Sequence, residues 1–181
     1  ADFFNGTSAT SSYDVSNLTY NERGSIESVN RRDASSSIDQ LSYTYNGNQL
    51  QKVKDNSYNS NGFADAVDQT TEYGYDVAGN LIQDNHKSIG SIEYNILNLP
   101  YKIKLTNDDS ITFIYDAAGV KLQTIIQDGS KTTKLDYAGS FYYETESATR
   151  SLKLVHTSEG RIINPTATYS YQYFIADHLG N

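Results

Sequence analysis

Histidine, paired carboxylates and a placed serine are the residue types that would give this chain acid–base, metal or nucleophilic chemistry. The three histidines, His86, His156 and His178, lie far apart, and none has ligand spacing with another. Each reads as a surface or structural residue. Asp76, Asn80, Asp84 and Asn85 supply oxygen atoms of the kind a calcium loop uses, but such a loop needs alternating ligands and a closing glutamate. Here the acids follow turn spacing and no glutamate closes the run. Asp108-Asp109 reads as a charged hairpin tip. No Gly-x-Ser-x-Gly elbow is present to expose a serine nucleophile. A glycosidase pair needs two facing carboxylates, which sequence does not place. The expectation is no enzyme, with no catalytic residue, no cofactor and no metal ligand. The sixteen tyrosines leave two readings open, a sugar-binding face or the core ladder of a sheet.

The elements that would position these residues are organised around Tyr73 to Asp84, Y-G-Y-D-V-A-G-N-L-I-Q-D. Tyr73 and Tyr75 are two apart and share a face of an extended strand. Asp76 can accept from its own turn backbone, while Gly79 and Asn80 tolerate positive φ. Leu81 restarts the apolar pattern, so the unit reads as a β-hairpin. It recurs at Tyr43-Thr-Tyr45-Asn46-Gly47-Asn48, at Phe113-Ile-Tyr115-Asp116-Ala-Ala-Gly119, and more weakly at Ile92-Glu-Tyr94-Asn95-Ile-Leu-Asn98-Leu99. Tyr20-Asn21-Glu-Arg-Gly24 is an earlier copy and Leu135-Asp-Tyr137-Ala-Gly139 a degenerate one. Anchor tyrosines at 20, 45, 75, 94, 115 and 137, with 171 as a further member, recur at intervals of 19 to 34 residues, the mark of a repeat architecture.

Composition fits a thin, tyrosine-rich sheet. Hydrophobic residues make up 37% of the 181-residue chain. A net charge of −8 disfavours nucleic acid, which needs a clustered basic surface. Arg31-Arg32, an isolated basic pair, reads as part of a solvated loop from Arg31 to Asp39. Without cysteine there are no disulfides or thiolate sites. No stretch approaches the roughly 20 apolar residues of a helical membrane span. Ala1-Asp2-Phe3-Phe4 lacks the regions of a signal peptide, and with no methionine at its start the chain reads as an internal piece of something longer.

Along the chain, strands are expected near 13–18, at Ile26 and Val29, over 41–45 with a turn at Asn46-Gly47, and at Leu50 and Val53. A polar loop follows from Asn56, and Phe63-Ala-Asp-Ala-Val67 within it reads as a turn of helix. Further strands are expected at 71–75, 81–83, 91–95, 101–106, 110–115, 120–127, 131–137, 140–145, 151–156 and 168–175. Pro165 reads as lying in an irregular stretch between the last two. No window keeps helical periodicity beyond about two turns.

The unit Y-x-Y-D-x-x-G-N-x-L resembles the tyrosine-aspartate repeats of the bacterial Rhs and teneurin families. The residues that define it are Tyr45, Gly47, Tyr73, Tyr75, Asp76, Gly79, Asn80, Tyr94, Tyr115, Asp116 and Gly119. The chain then ends Tyr171-Gln-Tyr173-Phe-Ile-Ala-Asp177-His178-Leu179-Gly180-Asn181, and its last five residues look like the opening of the Rhs repeat-associated core. The resemblance divides the chain into repeats over 1–168, with an irregular insert at about 56–69, and a core segment from 169 to 181. It implies an all-β fold, a spiralling antiparallel sheet of repeat hairpins forming an arc of β-shell. It also implies a structural role in a large secreted or cell-surface bacterial protein that encloses or presents a variable C-terminal region, often a toxin. The autoprotease signature D-P-x-G of some members is absent, so no catalytic residue is transferred. The repeat style and Leu97-Asn-Leu-Pro100 are similar to versions from bacteria with type IX secretion. The implied partners are the rest of its own chain and its C-terminal cargo, with secretion machinery or surface glycans beside them. The alternative is an adhesion module whose tyrosines hold carbohydrate or a receptor. Core-facing rings favour the shell and an exposed aromatic row favours binding.

Overall fold

The computed structural model describes residues 13–164 and 168–175, with the backbone of 3–4 and 9–10. Asp177, His178, Leu179, Gly180, Asn181 and Pro165 lie outside the described residues. The fold is all-β and antiparallel, with no helix among the described residues, so none is long and apolar enough to cross a membrane. Strands β1 (Phe3–Phe4) and β2 (Ala9–Thr10) pair with each other. A second sheet runs β3 (Val15–Tyr20), β4 (Ile26–Arg32), β5 (Ser37–Asn46) and β6 (Gln49–Asp55) in chain order. A third begins with β7 (Tyr73–Tyr75), β8 (Leu81–Asp84) and β9 (Ile89–Tyr94). It continues, again in chain order, with β10 (Pro100–Leu105), β11 (Ser110–Tyr115), β12 (Lys121–Asp128), β13 (Lys131–Ala138), β14 (Phe141–Glu146), β15 (Thr149–Thr157), β16 (Gly160–Ile163) and β17 (Ser170–Tyr173). The chain forms two compact units, 1–91 and 92–181, divided within β9.

The unit of residues 1–91 holds a small core. Val29, Leu41 and Val53 are buried, with Ile26, Tyr43, Leu50, Phe63 and Tyr73 packed around them. The three buried side chains come from one face of β4, β5 and β6, in the two-residue alternation of strands, while Phe63 and Tyr73 come from outside that sheet. The unit of residues 92–181 is built differently. No hydrophobic side chain described in it is buried, and its strands are mostly half-exposed along both faces. Its order comes from the hydrogen-bonded ladder and from cross-strand pairs, such as Tyr137 on Tyr142 at 5.5 Å and Arg150 over Tyr143 at 4.1 Å.

Several expectations are corrected. Arg31 and Arg32 belong to β4 and Ser37 to Asp39 to β5, so the loop between them is short. Arg31 is no free surface charge, because its Nε donates to the buried Asp39 at 2.6 Å. Phe63 to Val67 is not helical. Asp65 N bonds Phe63 O and Ala66 N bonds Ala64 O, the i→i+2 pattern of tight γ-turns. Strand β16 occupies part of the stretch read as irregular. Asn46 pairs with Gln49, so the central residues of that turn are Gly47 and Asn48.

Candidate functional site

Two arrangements stand out, the repeated turn and a buried carboxylate cluster. The turn is the same object four times. At Asn21, Asp76, Asn95 and Asp116, the side-chain oxygen accepts from the backbone N–H groups two and four residues on, at 2.8–3.0 Å. The N–H of the same residue bonds the carbonyl four residues on, and its own carbonyl accepts from the residue three on. That third residue needs positive φ, and it is Gly24, Gly79, Asn98 or Gly119. Asn80 adds a side-chain donor to Asp76, and these bonds hold the Asp76 carboxyl below its ordinary value. Gly47 and Gly139 also have positive φ.

Four of the repeats carry a bulge at the tyrosine, while Tyr137 pairs with Tyr142 in straight register. Tyr20, Tyr45, Tyr75 and Tyr115 pair with Ile26, Leu50, Leu81 and Lys121, while the preceding residues pair two positions further along the return strand. One residue is therefore extra on each return strand: Glu27, Gln51, Ile82 or Leu122. Such insertions bend and twist the strand locally. The tyrosine hydroxyls reach backwards. Tyr45 donates to Ile26 O at 2.8 Å, Tyr115 donates to Pro100 O at 2.9 Å, and Tyr75 is hydrogen-bonded to the Leu50 backbone. Ile26 and Leu50 are the residues paired with the preceding repeat's tyrosine, and Pro100 directly follows the turn after Tyr94. The anchor rings at 45, 75, 94 and 115 are half-buried. Burial raises the Tyr75 hydroxyl, and more strongly that of Tyr73. A separate group at Tyr169, Tyr171 and Tyr173 is exposed.

The second arrangement lies under the segment of residues 56–72. Among the described residues, Asp39, Asp55, Glu72 and Asp84 are buried, against only three buried hydrophobic side chains, so polar closure dominates this interior. Each carboxylate answers a donor. Asp39 accepts from Phe63 N at 2.6 Å as well as from Arg31. Asp55 accepts from Gln40 N and Ser57 N at 2.8 Å; burial pushes its carboxyl up, but these donors more than offset that and hold it low. Glu72 Oε2 accepts from Val53 N at 2.9 Å, Asp65 accepts from Asp55 N at 3.0 Å, and Glu72 N donates to Gln51 O at 2.7 Å. Side chains thus take the place of a neighbouring strand along the outer edge of β6. Asp68 is held at about 2 by hydrogen bonds from Lys52 and Lys54. Gly62 lets the segment lie this close, since a Cβ there would sit 2.2 Å from Ile38 O and 2.3 Å from Asp39 Oδ1.

His86 closes the cluster. Its side chain is 4% exposed, and Nε2 lies 2.8 Å from Glu72 Oε2. Nδ1 accepts from Ala66 N at 3.3 Å and lies 3.9 Å from Asp65 Oδ1. The rings of Phe63 and Tyr73 flank it, at 4.9 and 5.8 Å. Asp65, Glu72 and His86 together have the composition of a metal-binding group. No ligand spacing marks it in the sequence, because the three come from separate segments. Asp76 and Asn80 serve the turn, and Asp84 accepts from Lys87 N at 3.2 Å. A cavity of about 690 Å³ beside the cluster is lined by Lys54, Asp55, Tyr58, Phe63, Asp65 and Asp68. No family model matches the sequence, and no curated protein matches it.

Proposed function

We propose that this chain is a stretch of wall in an Rhs-type β-shell, part of a large bacterial protein that is secreted or held at the cell surface. In this reading the wall encloses or presents a variable C-terminal region, often a toxin, and the chain has no catalytic role. Export by type IX secretion belongs to the same proposal. The observation that carries the reading is the tyrosine hydroxyl that ties one repeat to the backbone of the one before it. Coupling between nearest neighbours is what a repeat array needs, since each unit is too thin to bury its own faces. The absence of any buried hydrophobic side chain among the described residues of 92–181 fits a wall better than a free-standing binding domain.

A second reading, an adhesion module for glycans or a receptor, draws on the exposed Tyr169, Tyr171 and Tyr173. Electron cryomicroscopy of the full-length parent protein separates the two. A closed shell with this segment in its wall supports the proposal. A segment standing clear of any enclosure, together with saturable glycan binding lost on replacing Tyr171 and Tyr173 by alanine, refutes it.

A further inference from the structure

We propose that Asp65 and His86 form a binding site for a divalent cation of borderline class, such as Zn²⁺, Co²⁺ or Ni²⁺, with Glu72 as the carboxylate that orients the imidazole. The argument begins with protons. Glu72 is fully buried, accepts from Val53 N and lies 2.8 Å from His86 Nε2, so Nε2 carries a hydrogen and donates it. Nδ1 accepts from Ala66 N and so presents a lone pair. The tautomer follows from these partners, with the coordinating nitrogen being Nδ1.

Asp65 Oδ1 lies 3.9 Å from that nitrogen. The other carboxylate oxygen, Oδ2, is pinned by Asp55 N at 3.0 Å, so the group is held facing the ring. Two electron-pair donors thus converge across a short separation. Metal–nitrogen and metal–oxygen bonds of about 2.0–2.2 Å together span slightly more than 3.9 Å, so one ion can touch both atoms. Tightening to a tetrahedral angle takes a closure of roughly half an ångström.

The competing hydrogen bond is the weak one. Ala66 N already donates to Ala64 O at 2.9 Å, so its 3.3 Å contact with Nδ1 is the long arm of a shared bond and is readily displaced. A carboxylate on the far ring nitrogen is the usual companion of a metal-bound histidine, fixing its tautomer and raising its basicity. Phe63 and Tyr73 wall the ring on its sides. Asp65 also lines the 690 Å³ cavity, from which water can complete the coordination. Lys52 and Lys54 are engaged by Asp68, which leaves Asp65 as the available anion. Imidazole beside one carboxylate suits Zn²⁺, Co²⁺ and Ni²⁺ over Mg²⁺ and Ca²⁺.

The test uses the full chain, stripped with chelator and titrated with Co²⁺ by absorption and with Zn²⁺ by calorimetry. We expect one ion per chain, with Co²⁺ ligand-field bands, and no competition from excess Mg²⁺. Asp65→Asn, which keeps an oxygen for Asp55 N, should remove saturable binding while preserving the metal-free unfolding transition. Glu72→Gln should weaken affinity about 10–100-fold. If Glu72→Gln does not fold, Asp65→Asn alone decides. Absence of saturable binding, equal binding by Asp65→Asn, or effective competition by Mg²⁺ each overturns the site. So does stabilisation by mild acid with no response to Co²⁺, which would put a proton where the cation is assigned.

Discussion

Replacing Glu72 by alanine should cost about 3 kcal/mol of stability. The carboxylate accepts from Val53 N at 2.9 Å, from His86 Nε2 at 2.8 Å and from Gln69 N at 3.3 Å. Gln69 is exposed and its N–H can turn to water, so it counts for little. The Val53 and His86 donors are enclosed, and each buried donor left without a partner costs about 1–3 kcal/mol. Two of them set a range of about 2–6 kcal/mol, and water entering from the neighbouring cavity draws the value toward the lower half. Glu72→Gln should cost only about 1 kcal/mol, because the amide oxygen still accepts from Val53 N. Urea unfolding of the full chain followed by circular dichroism measures the difference. Hydrogen exchange should place the loss at β6 and residues 63–66, leaving β10 to β15 as protected as before. A Glu72→Ala penalty within about 0.5 kcal/mol would refute the view that carboxylates stand in for a strand at the β6 edge.

Tyr115→Phe removes the bond to Pro100 O while keeping the ring, and denaturant unfolding should show a loss of about 1 kcal/mol. Gly62→Ala drives a methyl into the Ile38 carbonyl and should cost about 3 kcal/mol or more. Gly79→Ala meets open space and only a left-handed φ, so about 1 kcal/mol is expected; thermal melts that rank the two in reverse would contradict both environments. Asp55, Asp68 and Asp76 sit below their ordinary 3.8 in the folded chain, Asp68 at about 2. Their contribution is whole above pH 3.8 and is lost as pH falls toward about 2, so the melting temperature should drop through that window. Tyr171 and Tyr173 lie exposed on β17, at the end of its sheet, so the chain should self-associate. Light scattering should give a lower mass for Tyr171→Lys/Tyr173→Lys.

What could be read from the sequence was what depends on near neighbours. A turn such as 76–80 is set by one aspartate and one glycine three positions on, and both are visible in the string. The run Leu41 to Tyr45 alternates apolar and polar residues and is visible in the same way. Strand β16 escaped notice because Gly160-Arg-Ile-Ile163 is too short to alternate and opens on glycine. The helical turn expected over 63–67 lost to contacts its own composition does not encode, with Phe63 N drawn to Asp39 and Ala66 N reaching His86. His86 and Glu72 are 14 positions apart, and Asp39 and Phe63 are 24 apart, with no periodicity linking either pair. The bulges also hide themselves, because one extra residue on a return strand reverses the alternation that would reveal it.

The chain-order meander of β10 to β17 has a mechanical consequence. Each strand from β11 to β16 is hydrogen-bonded to the strand before and the strand after it in sequence, and short hairpins join neighbours from β10 to β16. Antiparallel hydrogen bonds run across the strands. Tension drawn through the chain therefore loads the ladder at a hairpin's open end, one bond at a time, rather than shearing a whole strand at once. Such a sheet peels at low force and lengthens in steps of one hairpin. Because each hairpin's partners are its sequence neighbours, it can also re-form in the same order once the load is released.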